Sequence, residues 1–239
     1  MQNNPVVSHA EWIEARKALL AKEKQLTQAR EELSRARRDL PWERVEKSYE
    51  FDGPQGRETL AQLFDSRSQL LVYHFMFDPD WQAGCKSCSF WADSLDRNVV
   101  HLKHRDVTPV VISRAPFAKL DAFRNRMGWS FKWVSTGGND FNYDFNVSFT
   151  SEDIANGAAS YNYVKRPATD KLLDLPGISV FYKDGGGDIF HTYSCYARGI
   201  DMMNVAYQYL DLVPKGRDES GPHAQAWVRY RDSYDDGVR

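Results

Sequence analysis

The sequence has little cysteine, little net charge and no long apolar run, and each shortage excludes a class of protein. Its 239 residues include 3 cysteines, too few for a scaffold held together by disulfide bonds. With 31 Lys and Arg against 33 Asp and Glu, the formal net charge is -2, which gives no general attraction to nucleic acid or to an anionic membrane. We therefore expect small molecules or other proteins as partners.

The apolar residues are too scattered for a membrane protein. No stretch approaches the ~18 apolar residues that a spanning helix needs, and the longest candidate, residues 70–77, is interrupted by His74 and has the length of a strand. Residues 1–5 lack the basic start and apolar stretch of a secretory signal. We expect a cytoplasmic protein, in which cysteines serve chemistry or packing because the compartment is reducing.

The composition is that of a globular protein with a sizeable core, since hydrophobic residues make up 42% and charged residues 27% of the chain. We predict a helical extension over residues 1–44, a core domain over 45–214 and a polar, loosely held tail over 215–239. A capping box at residues 8–11 predicts an amphipathic helix that ends before Pro41. The charges of this helix indicate that it exposes a face to solvent. The alternative is that the helix packs against a second copy of the chain and forms a homodimer.

Strands and helices alternate through the middle of the chain, which predicts an α/β fold with parallel pairing. We leave residues 141–165 irregular. A hairpin with a Gly-rich turn and a final helix complete the domain. The predicted elements are strands over 45–51, 70–77, 107–113 and 129–134, helices over 59–64, 85–100, 118–127 and 200–210, and the hairpin over 177–193.

A C-x-x-C motif at residues 85–88 lies directly after the first buried strand and at the beginning of a helix. Free backbone amides and the helix dipole at such a position favour a thiolate, so Cys85 should titrate well below ~8.5 and act as a nucleophile. Lys86 adds a positive charge next to it. Cys88, one turn later on the same face, is placed to resolve a mixed disulfide. The alternative is a pair of inert, buried thiols.

A second interpretation of the motif is a Cys2His2 zinc site, whose spacing is approached by Cys85, Cys88, His101 and His104. The two histidines stand closer together than is usual, and the predicted helix between the pairs would hold them far from the thiols. We therefore favour a redox pair that needs neither a metal nor another cofactor.

Several other side chains are candidates for a supporting role. Arg114 and Arg198 each follow a predicted strand, where sites in open α/β folds collect, and either would favour a thiolate or attract an anionic substrate. The alternative for each is a surface ion pair. Trp81 and Trp91 flank the motif. They either form an apolar rim that contacts a substrate disulfide or pack in the core. Cys195 is interpreted as packing, with a second resolving thiol as the alternative.

The motif stands among segments that together resemble a thioredoxin-like family described as predicted dithiol-disulfide isomerases. The resemblance extends from the first helix through residues 216–218. It implies a thioredoxin-like mixed sheet flanked by helices, with Cys85 and Cys88 as the active-site pair and a protein or small-molecule thiol or disulfide as substrate. The segments that carry it are residues 75–81, 84–93, 105–107, 113–116, 126–129, 140–142, 191–194 and 196–199.

Residues 110–135 and the hairpin also resemble the peroxiredoxin branch of this superfamily, which implies a thiol peroxidase as an alternative. Peroxiredoxins carry Thr or Ser three residues before the reactive cysteine, where this sequence has Gln82. Thioredoxins place a cis-proline opposite the C-x-x-C, and Pro176 is the candidate here. The alternative to an enzyme is a binding protein or scaffold that retains the fold and has no catalytic activity.

Overall fold

The computed structural model of the chain describes residues 4–234. The chain divides into two compact units, Met1–Pro41 and Trp42–Arg239. The second unit begins at Trp42 rather than at residue 45, and it includes the segment expected to form a separate tail. None of the helices in the described part of the chain is long and apolar enough to cross a bilayer.

The first unit contains one long helix, α1 (His9–Arg38), which begins at the predicted capping box. The amide of Glu11 donates to Ser8 Oγ over 3.3 Å, and the amide of Ser8 donates to Glu11 Oε2 over 3.0 Å. The apolar side chains that form a stripe at heptad spacing, each about half exposed, are Trp12, Leu19, Leu26 and Leu33. The homodimer through this helix stays a prediction.

The second unit is built on an eight-stranded mixed sheet with the order β1-β10-β9-β4-β5-β6-β2-β3, and β7 and β8 form a separate ribbon. In chain order the strands are β1 (Glu43–Arg44), β2 (Glu50–Gly53), β3 (Gly56–Thr59), β4 (Gln69–His74), β5 (Val107–Ser113), β6 (Lys132–Ser135), β7 (Ser160–Tyr161), β8 (Val164–Lys165), β9 (Gly177–Lys183) and β10 (Ile189–Tyr196). The remaining helices are α2 (Leu60–Leu63), α3 (Lys86–Asp96), α4 (Val99–His104), α5 (Phe117–Met127), α6 (Phe141–Asp144), α7 (Ser151–Ala155) and α8 (Val205–Leu210), with a 3₁₀ helix at Ala197–Met203.

The centre of the sheet has the thioredoxin-like arrangement. Strand β4 pairs in parallel with β5 through the crossover that contains α3, and it pairs antiparallel with β9 of the hairpin. Leu71 lies between Pro109 and Val180, so even the proline of β5 occupies a central position. The order β10-β9-β4-β5, with a helix after the hairpin, confirms the predicted fold class.

The boundaries of several elements differ from the predicted ones. The helix predicted over 85–100 breaks between α3 and α4, where the side chain of Asn98 donates to the carbonyl of Ser94 over 2.7 Å and so takes the place of a helical amide. The predicted strand over 45–51 is replaced by the short strands β1 and β2, and the region left irregular contains α6, α7 and the β7-β8 ribbon. Apart from the helix break, these misses concern elements of two to five residues, which are too short to show a periodic pattern.

Both faces of the central strands are covered by apolar clusters. Tyr73 and Val111 belong to the cluster that includes residues of α3 and α5. Their neighbours Val72 and Ile112 belong to the cluster on the opposite face. His74 lies fully buried on that second face, where burial lowers its pKa to about 4 and keeps the ring neutral. The continuous apolar run therefore reflects a strand that is buried on both sides.

The part of the predicted tail that the structure describes, up to residue 234, packs against the core and is not loosely held, whereas residues 235–239 lie outside the described residues. Val228 is 2% exposed. The ring of Trp227 packs edge-on against Phe90 at 5.5 Å, and the ring of Tyr230 packs against Phe123 at the same centroid distance. The charged residues conceal this interaction in the sequence because they are interspersed with the apolar and aromatic side chains that make the contacts.

We predict that Phe141→Ala lowers the free energy of unfolding by about 3–5 kcal/mol, because it leaves a large cavity. Phe141 is fully buried, with its ring 5.0 Å from Tyr49 and 5.1 Å from Phe51. Urea unfolding followed by circular dichroism measures the change. Tyr209→Ala is the control, because this side chain is 68% exposed and its loss should cost less than about 0.5 kcal/mol. Equal effects of the two substitutions would contradict the packing described.

Candidate active site

The two cysteines of the motif occupy the first turn of α3, at the carboxyl end of β4. Cys85 is the N-cap residue of α3, and its amide donates to the carbonyl of Met76 over 3.0 Å. The amide of Cys88 donates to Cys85 Sγ over 3.5 Å, so sulfur takes the capping place that an oxygen usually holds. The local sequence thus places Cys85 where unpaired helical amides point.

The surroundings of the two thiols separate their acidities. The thiol of Cys88 donates a hydrogen bond to Cys85, and this bond, together with the amides of Cys88 and Ser87, lowers the pKa of Cys85 to about 7 against the opposing effect of burial. Burial and the neighbouring Cys85 raise the pKa of Cys88. Cys88 is 1% exposed, whereas Cys85 is only partly buried. The arrangement therefore lets Cys85 ionise near neutral pH beside a Cys88 thiol that keeps its proton.

Cys85 lines a recess of about 250 Å³. Its walls are mostly apolar, and its polar groups come from several distant parts of the chain. The residues that line it are Tyr73, Met76, Cys85, Ser87, Cys88, Trp91, Pro176, Ala197, Arg198, Ile200, Asp201 and Gln225. A substrate bound there would meet the sulfur of the N-cap residue.

Of four predicted supporting residues, two line this recess and two do not. Pro176 and Arg198 line it. The described residues contain no cis peptide bond, so Pro176 does not supply the cis-proline expected from the thioredoxin resemblance. Lys86 is exposed, and its Nζ lies 5.9 Å from the centroid of the Tyr230 ring. Trp81 is partly buried against the core cluster rather than at the recess.

Arg114 has a different environment from the one expected for a residue that lowers a thiol pKa. Its Nε donates to Asp174 over 2.6 Å, and its Nη2 donates to Asp78. All three side chains are at most 14% exposed. The guanidinium therefore joins the loop after β4 to the segment before β9, and these two segments carry Met76 and Pro176 to the recess.

Sequence reasoning missed several residues that complete the site. The hydroxyl of Tyr73 donates to the carbonyl of Cys88 over 3.3 Å, and the hydroxyl of Tyr230 donates to the carbonyl of Gly84 over 2.7 Å. Gln225 lines the recess. The sequence does give a signal for Tyr73, because it precedes His74 on a strand that is predicted to be buried on both faces. Tyr230 and Gln225 gave no local signal, because they lie in a charged segment far along the chain.

The remaining candidates lie apart from the recess. His101 and His104 are exposed on α4. Within residues 4–234 no three His, Cys, Asp or Glu side chains come together in a way that could hold a metal ion. Cys195 lies on β10, is 8% exposed and belongs to the same apolar cluster as Cys88. The packing interpretation of Cys195 agrees with this position.

The family described as "Bacterial protein of unknown function (DUF899)" matches residues 1–234. The chain belongs to this family. Among curated proteins, none matches the sequence of this DUF899 member.

Solved structures similar to the DUF899 chain include several peroxiredoxins. A cysteine-to-serine mutant of peroxiredoxin Q from Xanthomonas campestris is 13% identical with a TM-score of 0.49, and the match covers 72% of this chain and 98% of that one. Peroxidoxin BcpB of Mycobacterium tuberculosis is 12% identical with a TM-score of 0.45, over 71% and 97% of the two chains. A cysteine-to-serine mutant of PrxQ from Xylella fastidiosa is 11% identical with a TM-score of 0.44, over 70% and 95%.

We predict that alkylation of Cys85 by iodoacetamide accelerates with a midpoint near pH 7. Only the thiolate reacts, and a pKa lowered to about 7 means that the thiolate forms as the pH rises through this value. Peptide mass mapping after timed labelling measures the rate at each cysteine. Cys85→Ser should remove this early reaction, and a midpoint above pH ~8.5, the ordinary value for a free thiol, would contradict the geometry described.

We predict that Gly84→Ala lowers the free energy of unfolding by about 1–3 kcal/mol through overpacking. A Cβ at Gly84 would lie 2.6 Å from Cε1 of Phe75 and 3.0 Å from Cε1 of Phe123. Denaturant titration measures the loss. Gly185→Ala is the control because a Cβ there meets no atom within 4 Å, and equal stability of both variants would show that the loop before Cys85 is loosely packed.

Proposed function

We propose that this protein is a thiol-disulfide oxidoreductase in which Cys85 is the nucleophile and Cys88 is the resolving thiol. The observation that carries the proposal is the Cys85 sulfur at the N-cap of α3, which accepts hydrogen bonds from Cys88 and lines an open recess. Such a sulfur ionises near neutral pH and faces a recess, and disulfide exchange requires a thiolate that a substrate can reach.

In the first step, the thiolate of Cys85 attacks one sulfur of the substrate disulfide. A bond forms between Cys85 and that sulfur, the substrate S–S bond breaks, and the departing thiolate takes a proton from water. Because Cys85 then carries no negative charge, one cause of the raised pKa of Cys88 disappears. The first step thus makes Cys88 easier to deprotonate.

In the second step, Cys88 loses its proton and attacks the sulfur of Cys85 in the mixed disulfide. The bond between Cys85 and the substrate breaks, the second substrate thiol leaves, and Cys85 and Cys88 become joined. The protein gives the substrate two electrons in all, and of the two protons that the substrate thiols gain, one comes from water and one is the proton that Cys88 releases. A dithiol reductant then restores the pair by the same exchange in reverse.

The peroxidase alternative starts from the same thiolate, with the oxygen–oxygen bond of a peroxide in place of the disulfide. The position at which peroxiredoxins carry Thr or Ser holds Gln82, which is exposed. The adjacent Cys88 thiol instead supports a dithiol cycle that is complete within one turn of a helix. We therefore place disulfide exchange first.

The proposal predicts that the reduced protein reacts with 2-hydroxyethyl disulfide and that Cys85→Ser lowers the second-order rate constant by at least 100-fold. Cys88→Ser should stop at a mixed disulfide on Cys85, which intact-mass spectrometry detects as a stable adduct. Cys195→Ser is the matched control and should leave the rate within about twofold. Reaction with hydrogen peroxide but not with the disulfide would favour the peroxidase, and no dependence on Cys85 for either reagent would overturn a redox role.

A further inference from the structure

The C-terminal segment of the described chain, residues 217–234, lies across the N-terminal end of α3, and we call it the strap. Its closest link to the site is the hydrogen bond from the hydroxyl of Tyr230 to the carbonyl of Gly84, the residue before Cys85. Gln225 of the strap forms part of the recess wall. The strap therefore contributes directly to the space around the reactive sulfur.

Contacts on both sides hold the strap in place. Arg126 of α5 donates to both carboxylate oxygens of Asp232, over 2.8 and 3.0 Å, and its guanidinium lies 5.0 Å from the centroid of the Tyr230 ring. Toward the other end, Glu219 accepts hydrogen bonds from Tyr207 over 2.5 Å and from Trp227 over 3.1 Å. The burial of aromatic surface between these polar contacts adds an apolar contribution to the docking.

The space left beside Cys85 is small. A volume of about 250 Å³ corresponds to roughly eight water molecules at about 30 Å³ each, and it lies below the ~300–1,000 Å³ that drug-sized ligands occupy. Each cysteine of a protein disulfide is joined to main chain on both sides, and this main chain would have to approach Cys85 together with the disulfide. The disulfide and its flanking main chain do not fit a recess of this size while the strap is docked.

The walls also favour one kind of substituent. Met76, Trp91 and Ile200 supply apolar surface. Apart from Cys85, the two charged residues of the lining have opposite signs, and Arg198 lies 3.9 Å from Asp201, so these side chains add no net charge to the recess. A substrate that carries small, uncharged groups beside its sulfurs matches this environment better than a highly charged one.

We propose that the strap restricts Cys85 to low-molecular-weight disulfides with small, uncharged substituents and excludes the disulfides of folded proteins. This inference rests on the function proposed above and specifies its substrate class. The strap acts by occupying the volume that a protein substrate would need, and the rings of Tyr230 and Trp227 pack against Phe123 and Phe90 of the core.

The test compares the single-turnover rates of the reduced, full-length protein with 2-hydroxyethyl disulfide, with oxidised glutathione and with the disulfides of insulin. We expect the reaction with 2-hydroxyethyl disulfide to be at least tenfold faster than with oxidised glutathione, which is larger and charged, and at least 100-fold faster than with insulin. This comparison needs no variant. Similar rates for all three disulfides would overturn the inference and leave the proposed function standing.

The double variant Trp227→Ala/Tyr230→Ala releases the strap, and we expect it to raise the insulin rate relative to the 2-hydroxyethyl disulfide rate at least tenfold. Tyr209→Ala removes an exposed ring outside the strap and should leave this ratio unchanged. Circular dichroism establishes that the variants are folded. An unchanged ratio in a folded double variant would overturn the inference, and reaction with no disulfide at all would overturn the proposed function together with it.

Discussion

The hydrogen bonds onto the sulfur of Cys85 are the interaction on which the rest of the site depends. They exist because the chain leaves β4, turns within a short loop and begins α3 at this residue, so that the first amides of the helix point at the sulfur. The start of the helix is fixed in turn by the bond from the Cys85 amide to Met76. A buried strand thus determines where the thiolate lies.

The loops that frame the sulfur are held by a different force. Arg114, Asp78 and Asp174 form a nearly buried ionic cluster, and Ser148 donates a further hydrogen bond to Asp174 over 2.7 Å. Buried charges of this kind are tolerated only when each has its partner, and removal of one partner leaves the others uncompensated. The cluster therefore connects the two loops, and none of its three charged residues lines the recess.

The sequence was sufficient for the part of the site that depends on local pattern. A continuous apolar run, a loop and a C-x-x-C at a helix start are neighbours along the chain, and together they predicted the N-cap position of Cys85. Gln225 and Tyr230 reach the site from a distant segment, and no periodicity connects them to it. For the same reason the break after Asp96 was missed, since it depends on the side chain of Asn98 rather than on an apolar pattern.

The charged C-terminal segment shows why composition alone misjudges such parts of a chain. Arg126 and Asp232 neutralise each other across it, so its charges become specific contacts instead of a reason for solvation. The ring of Tyr230 lies beneath the same arginine, and its hydroxyl reaches the carbonyl of Gly84. Because a Cβ at Gly84 would lie only 2.6 Å from Cε1 of Phe75, the strap, the loop and the helix start meet at a residue where any side chain would have to displace a core ring, next to the sulfur of Cys85.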